Sequence, residues 1–305
     1  MTKLQHLEKI LNGYGSVLIG YSGGVDSVFL AAVAVDVLGK ENVLAVTGRS
    51  ASYPDVQWQV ARDVAQQFSI PHLEIDTDEM HDASYLANPT NRCYFCKTEL
   101  WSKLVPLAKT RGYDVVVDGS NADDASDYRP GAQAAKEHDV RSPLMEAGLT
   151  KAEIRELSLA RDLPTWDQPS APCLSSRLPY GFAVTPERLK QVERAEDIVR
   201  SAGIKEFRVR HHGDIARLEI SPAEIPAALA NAETLSQQIE ALGFRRVVLD
   251  VEGYRRGALN EALVQLNSRP DIAIVDGTLA HAREKLADFK KSGFRYVAVD
   301  LKVSA

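Results

Sequence analysis

Long apolar runs are missing from this sequence. No hydrophobic stretch among its 305 residues approaches the roughly 18 that a membrane-spanning helix needs, so no membrane partner is expected. The start, Met1-Thr-Lys-Leu-Gln-His6, lacks the apolar core of a signal peptide. A cytoplasmic location is expected. Cysteine is scarce: Cys93, Cys96 and Cys173 are the only three. An odd, small set in a reducing compartment is not a disulfide framework. Positive charge is not in excess, since 36 Lys and Arg face 42 Asp and Glu for a formal net charge of −6. A protein gripping nucleic acid through its phosphates carries a basic stripe instead, so nucleic acid is not an expected partner.

What is present is ordinary for a globular chain. Hydrophobic residues make up 45% and charged residues 26%, which is enough for a core. The length suits two modest domains or one large one.

The first half alternates strands and helices. Residues 2–12 form an amphipathic helix with Leu4, Leu7, Ile10 and Leu11 on one face. Ser16–Tyr21 is a short apolar run that reads as a buried parallel strand. The Ala-rich run Val25–Leu38 reads as a helix ended by Gly39. Strands at Val43–Thr47, His72–Asp76 and Asp114–Asp118 alternate with helices at Pro54–Phe68 and 93–111. Thr150-Lys-Ala-Glu153 is a capping box that opens another helix. This alternation predicts an α/β fold with a doubly wound parallel sheet, and such sheets bind ligands at the carboxyl ends of their strands.

Residues 164–181 break the rhythm with Pro164, Pro169, Pro172 and Pro179, which predicts a loop and a domain boundary near Gly181. The expected division is 1–180 and 181–305. Beyond the boundary, helices at Thr185–Ala202 and Pro222–Leu242, the latter broken near Pro226, mix with strands at Phe207–His211, Ala216–Ile220 and Arg246–Val251. That mixture reads as a smaller α+β domain. Gly243-Phe-Arg-Arg-Val-Val-Leu-Asp250 is echoed by Gly293-Phe-Arg-Tyr-Val-Ala-Val-Asp300. The echo predicts an extra helix–strand unit at about 263–305, extending the same sheet.

Chemistry is concentrated in three places. The first is Ser22-Gly23-Gly24-Val25-Asp26-Ser27, between a strand and a helix. Its two glycines let backbone N–H groups turn inward, and the following helix presents its positive end. Ser22 and Ser27 offer hydroxyls to phosphate oxygens, and Asp26 can hold a Mg²⁺ that bridges them. The lysine of a Walker loop is absent. The loop resembles the PP-loop of the ATP-pyrophosphatase superfamily. That resemblance implies cleavage of ATP to AMP and pyrophosphate, with Ser50 and Gly119, at the ends of two other strands, near the nucleotide.

A narrower resemblance covers residues 10–262. The runs Asp118-Gly-Ser-Asn-Ala-Asp-Asp-Ala-Ser-Asp127-Tyr-Arg-Pro-Gly131, Cys173-Leu-Ser-Ser-Arg177-Leu-Pro-Tyr-Gly181 and Arg208-Val-Arg210-His-His-Gly-Asp214 are similar to those of the LarE family of ATP-dependent sulfur transferases. The resemblance implies that a pyridinium dicarboxylate mononucleotide is adenylylated on a carboxylate, and that a sulfur nucleophile then displaces AMP. It implies Asp127 at the nucleotide, Cys173 and Arg177 at the reaction centre and a homo-oligomeric assembly. The last 40 or so residues exceed the family's usual end.

The second place is the cysteines. Cys93-Tyr-Phe-Cys96 can be a zinc half-site with a ligand such as His81, a redox pair, or spare buried thiols. The resemblance favours a third thiolate from Cys173 and a [4Fe–4S] cluster fed by sulfide or by a cysteine desulfurase. A sacrificial Cys173 is the other route. Three thiolates leave one iron open, which suits sulfide delivery.

The third place is Arg208 and Arg210, two positions apart on one strand and so on one face. They pair with Glu206 or Glu219, or grip an anion, for which Arg forks are matched. The resemblance implies that they bind the substrate's phosphate beside Glu196, although Ala227 stands where it would put a second acid. An ammonia-dependent amide synthetase and a tRNA thiolase share the PP-loop and stay open as alternatives.

Overall fold

The computed structural model describes residues 1–126, 130–255 and 272–302. The chain divides into two compact units, Met1–Pro172 and Cys173–Ala305.

The first unit runs α1 (Lys3–Tyr14), β1 (Val17–Gly20), α2 (Val25–Leu38), β2 (Val43–Arg49), α3 (Asp55–Gln67) and β3 (His72–Asp76). It continues with α4 (Ala83–Leu86), α5 (Arg92–Arg111), β4 (Val115–Val117), α6 (Pro130–Glu137), α7 (Pro143–Glu146) and α8 (Lys151–Leu159). The four strands are all parallel, in the order β3-β2-β1-β4. Strand side chains alternate between faces. Val17 and Ile19 therefore join α1, α2 and α3 in one apolar cluster, while Leu18 joins α5 and α6 in the other. Helices cover both faces, as the near-continuous apolar strands required. β2 runs two residues further than its apolar pattern, because Gly48 and Arg49 pair with Ile75 and Asp76 of β3.

The second unit holds α9 (Pro186–Ser201), β5 (Phe207–His212), β6 (Ile215–Ile220), α10 (Ile225–Ala230), α11 (Ala232–Glu240), β7 (Arg246–Asp250), β8 (Ile272–Val275), α12 (Leu279–Lys291) and β9 (Tyr296–Asp300). Its mixed sheet has the order β5-β6-β7-β9-β8. The helix expected to break near Pro226 breaks at Asn231 instead. Pro226 lies in the first turn of α10, where its missing N–H costs nothing.

The echoed segment near the C-terminus enters this same sheet. β9 runs antiparallel to β7 and parallel to β8. Residues 263–271 and 303–305 of the expected extension lie outside the described residues. One face of the sheet is apolar: Val209, Leu218, Val247, Leu249, Val297 and Val299 share a cluster with α9, α11 and α12 residues. The opposite face carries charge. Register places Arg208 opposite Glu219 and Arg210 opposite Arg217.

Candidate functional site

At the carboxyl end of β1 the chain turns through Ser22–Ser27 into α2. Gly23 has φ of +63°, and a Cβ there would stand 2.6 Å from the Cβ of Ala61 on α3. Only glycine satisfies both demands. The Ser22 N–H donates to the Ser27 hydroxyl oxygen at 3.2 Å, and the Ser27 hydroxyl donates to the Gly24 carbonyl at 3.1 Å. The Ser22 carbonyl accepts from Tyr53 Oη and Gln57 Nε2, each at 3.0 Å. Gln57 in turn accepts from Gln168 Nε2 at 2.8 Å, which ties the proline-rich loop to the turn. α2 starts at Gly24 without a side-chain cap, so its positive end is open to an anion.

Asp26 sits in the first turn of α2. Its Oδ2 accepts from Lys151 Nζ at 2.5 Å. Its Oδ1 is buried and has no hydrogen-bond partner among the described residues. A bare carboxylate oxygen in a loop that also carries two serine hydroxyls is the kind of hard oxygen donor a divalent cation takes. Lys151 escaped the sequence reading. It is the first residue of α8, 125 positions from Asp26, and nothing local signals the pairing. Two contacts hold it there: Thr150 and Glu153 form the anticipated capping box, and the Lys151 N–H donates to Asp123 Oδ2 at 2.9 Å.

Two more loops line this sheet edge. Gly119, after β4, packs on the start of α2, where a Cβ would meet the Ser27 nitrogen at 3.1 Å. Ser50, after β2, donates to Glu79 Oε1 at 2.5 Å, and Ser52 joins the same oxygen at 3.2 Å. Glu79 is buried, and its Oε2 has no hydrogen-bond partner among the described residues. This acid is a second residue that sequence reasoning missed. Asp127 lies outside the described residues.

Cys93 is exposed and Cys96 half-buried, one turn apart at the start of α5. Residues so spaced share a helix face. Cys173 opens the second unit. Among the described residues no group of three or more His, Cys, Asp or Glu side chains is placed to hold a metal.

In the second unit, Arg177 and Glu196 form a two-pronged pair. Nε–Oε1 is 2.8 Å and the second prong, Nη2–Oε2, is 3.0 Å, with both residues at least 95% buried. Burial opposes both charges, but each outweighs that penalty for the other. The Arg177 pKa is raised and that of Glu196 lowered. Arg177 also donates to the Cys173 carbonyl at 3.1 Å, so it braces the backbone of that cysteine. Glu196 further accepts from the Val209 N–H at 3.2 Å.

Arg210 donates through Nε to Glu219 Oε2 at 2.9 Å and through Nη1 to the Ser176 carbonyl at 2.7 Å. Arg208 donates to the Phe207 carbonyl at 2.5 Å and lies beside Tyr254. Its pKa is depressed, first by burial and then by the Arg177 charge. A depressed arginine gains from a bound anion, which restores the preference for the cation. The structure thus joins Arg177 with Glu196 and Arg210 with Glu219.

The chain is similar to several known proteins. The family model for NAD synthase matches residues 4–98, the stretch that contains the Ser22–Ser27 loop. An uncharacterized protein of Synechocystis sp. is 46% identical over 266 residues, 87% of this chain and 99% of its own length. The pyridinium-3,5-bisthiocarboxylic acid mononucleotide synthase of Lactiplantibacillus plantarum is 35% identical over 264 residues, 87% of this chain and 96% of that enzyme. An uncharacterized protein of Methanocaldococcus jannaschii is 27% identical over 241 residues, 78% of this chain and 90% of its own.

Proposed function

This chain belongs to the LarE family, that of the pyridinium-3,5-bisthiocarboxylic acid mononucleotide synthase, and on that footing we propose that it transfers sulfur to a pyridinium dicarboxylate mononucleotide at the expense of ATP. The observation that carries this reading is likeness across 96% of that synthase's length. The site geometry supports the ATP half.

The Ser22–Ser27 loop and the open start of α2 receive the triphosphate. Asp26 Oδ1 would hold Mg²⁺, which supplies neutralising charge to the phosphates when bound. Lys151 adds a second cation at the same loop. A substrate carboxylate oxygen attacks the α-phosphorus, the bond to the bridging oxygen breaks and pyrophosphate leaves. A sulfur nucleophile then adds to the acyl carbon and expels AMP, leaving a thiocarboxylate. Arg177, held by Glu196, fixes the backbone at Cys173 for this second step. Arg208 and Arg210 take the phosphate of the mononucleotide.

Cys93, Cys96 and Cys173 would hold a [4Fe–4S] cluster, which when bound supplies an open iron for exogenous sulfide. Anaerobically reconstituted protein is expected to hold about four irons per chain, with loss of iron in Cys93→Ala and Cys173→Ala. Unchanged iron in Cys173→Ala overturns the cluster. The transfer itself is tested by incubating protein, ATP and the mononucleotide. AMP, pyrophosphate and a product heavier by one oxygen-to-sulfur exchange are expected. Unaltered mononucleotide beside thiolated tRNA would assign the chain to the tRNA thiolases instead.

A further inference from the structure

The charged face of the second unit's sheet is organised around a residue with no assigned role. Asp250 ends β7 and is 2% exposed. Its two carboxylate oxygens lead in different directions. Oδ2 accepts from Arg217 Nη1. Arg217 is fully enclosed, with its guanidinium 3.6 Å from the centroid of Tyr296. Its Nη2 stands 2.9 Å from Glu219 Oε1, and the other oxygen of Glu219 holds Arg210 at 2.7 Å. The chain Asp250–Arg217–Glu219–Arg210 therefore ends on one of the two arginines assigned to the substrate phosphate.

Oδ1 leads to the other arginine. It accepts from the N–H groups of Glu252 at 2.8 Å and Gly253 at 3.2 Å. These contacts wind the chain into a turn with Gly253 at φ of +68°, so close to the sheet that a Cβ would lie 2.6 Å from the Ile220 carbonyl oxygen. The Tyr254 N–H donates to that same carbonyl at 3.0 Å. The turn delivers the Tyr254 ring to 5.0 Å from the Arg208 guanidinium.

We infer that Asp250 is a positioning residue that aims both phosphate-reading arginines, one through each carboxylate oxygen. It touches neither arginine and no reacting atom. Guanidinium forks read a phosphate by direction as well as charge. A buried network with two rigid arms fixes that direction before the substrate arrives. The inference rests on the reading that Arg208 and Arg210 bind the substrate's phosphate.

Asp250→Asn separates the arms. An amide oxygen in place of Oδ1 still accepts from Glu252 and Gly253, whereas an amide nitrogen in place of Oδ2 confronts Arg217 donor to donor. Sulfur transfer would be followed with the mononucleotide, with the corresponding nucleoside lacking the phosphate, and with varied ATP. The expected result is a KM for the mononucleotide raised about 10-fold, the worth of one charge-assisted hydrogen bond, with kcat and the KM values for ATP and the nucleoside within about 2-fold of the parent. Glu219→Gln cuts the same arm one link further along and must reproduce that split.

Arg210→Lys is run beside them. If Arg210→Lys raises the mononucleotide KM and both Asp250→Asn and Glu219→Gln leave it unchanged, the positioning role is overturned while the phosphate reading stands. If Arg210→Lys also leaves it unchanged, the phosphate reading falls and this inference with it. A uniform loss across mononucleotide, nucleoside and ATP, with a lower Tm, would reduce Asp250 to a structural residue and overturn the inference.

Discussion

Gly23 shows how one residue can hold the Ser22–Ser27 loop in shape. A methyl group at that position meets Ala61 and a strained φ together. Gly23→Ala is expected to cut ATP-dependent pyrophosphate release by about 10-fold or more and to cost about 1–3 kcal/mol of stability. Enzymatic pyrophosphate detection and thermal melts check the two effects.

Lys151 behaves differently. Its pair with Asp26 is part-exposed, so Lys151→Met should change stability by no more than about 1 kcal/mol. On the proposed reading of the Ser22–Ser27 loop it should raise the KM for ATP about 10-fold, the worth of one charge-assisted hydrogen bond. An unchanged KM would show that the lysine serves only α8.

His211 carries a pH prediction. Its ring lies between Phe182 and Phe244, at 5.6 and 5.1 Å between centroids. Burial first, and Arg188 second, push its pKa down from 6.5 to about 4. Below pH 6.5 the unfolded chain takes up a proton that the folded one refuses. The stability contributed by the neutral ring is therefore present above pH 6.5 and lost as pH falls toward about 4. Tm measured across that window should fall in the parent and fall less in His211→Phe.

At this scale the sequence was readable where partners are close in the chain, as from Ser22 to Ser27. Lys151 and Glu79 stayed invisible because their partners lie far along the chain, and Asp250 because only its local turn, and not its pairing with the distant Arg217, is close in sequence.

Among the elements, α8 shows a legible signal with an illegible purpose. Thr150-Lys-Ala-Glu153 announces a helix start, and the capping box forms as anticipated. The pattern does not reveal that this start delivers Lys151 to Asp26 in the Ser22–Ser27 loop. Thr150→Ala is expected to cost about 1 kcal/mol and to weaken ATP-dependent pyrophosphate release, because the frayed turn no longer fixes Lys151. A melt and a KM for ATP test both halves.

The bounds of α2 and β3 coincide with their sequence patterns, since Gly24 and Gly39 bracket the apolar, Ala-rich run of α2 and His72-Leu-Glu-Ile-Asp76 alternates polar and apolar residues along β3. α6 was not anticipated. Its eight residues open on Pro130 and Gly131, both poor helix formers, and packing on α5 supplies what propensity does not. The break at Asn231 was misplaced to Pro226 because a proline is ambiguous: inside a helix it breaks, and in the first turn it starts one.

Over the whole molecule, two kinds of sheet serve two kinds of task. The first unit's parallel sheet is apolar on both faces and exposes its chemistry only at loops beyond the strand ends. The second unit gathers Arg208, Arg210, Arg217, Glu219 and Asp250 on one sheet face. Membership of the LarE family was legible from motifs spread over both units, whereas the charged lattice behind Arg208 and Arg210 required the strand register. No described helix is long and apolar enough to cross a membrane.

The position of β9, between β7 and β8, has a consequence for biosynthesis. β8 leaves the ribosome before the strand that must join it to β7. Until β9 arrives, a nascent chain presents two sheet edges with open backbone groups, and such edges recruit neighbouring chains. Slower elongation across residues 276–295 would prolong that interval and raise the aggregated fraction, whereas a chaperone that shields β7 would lower it.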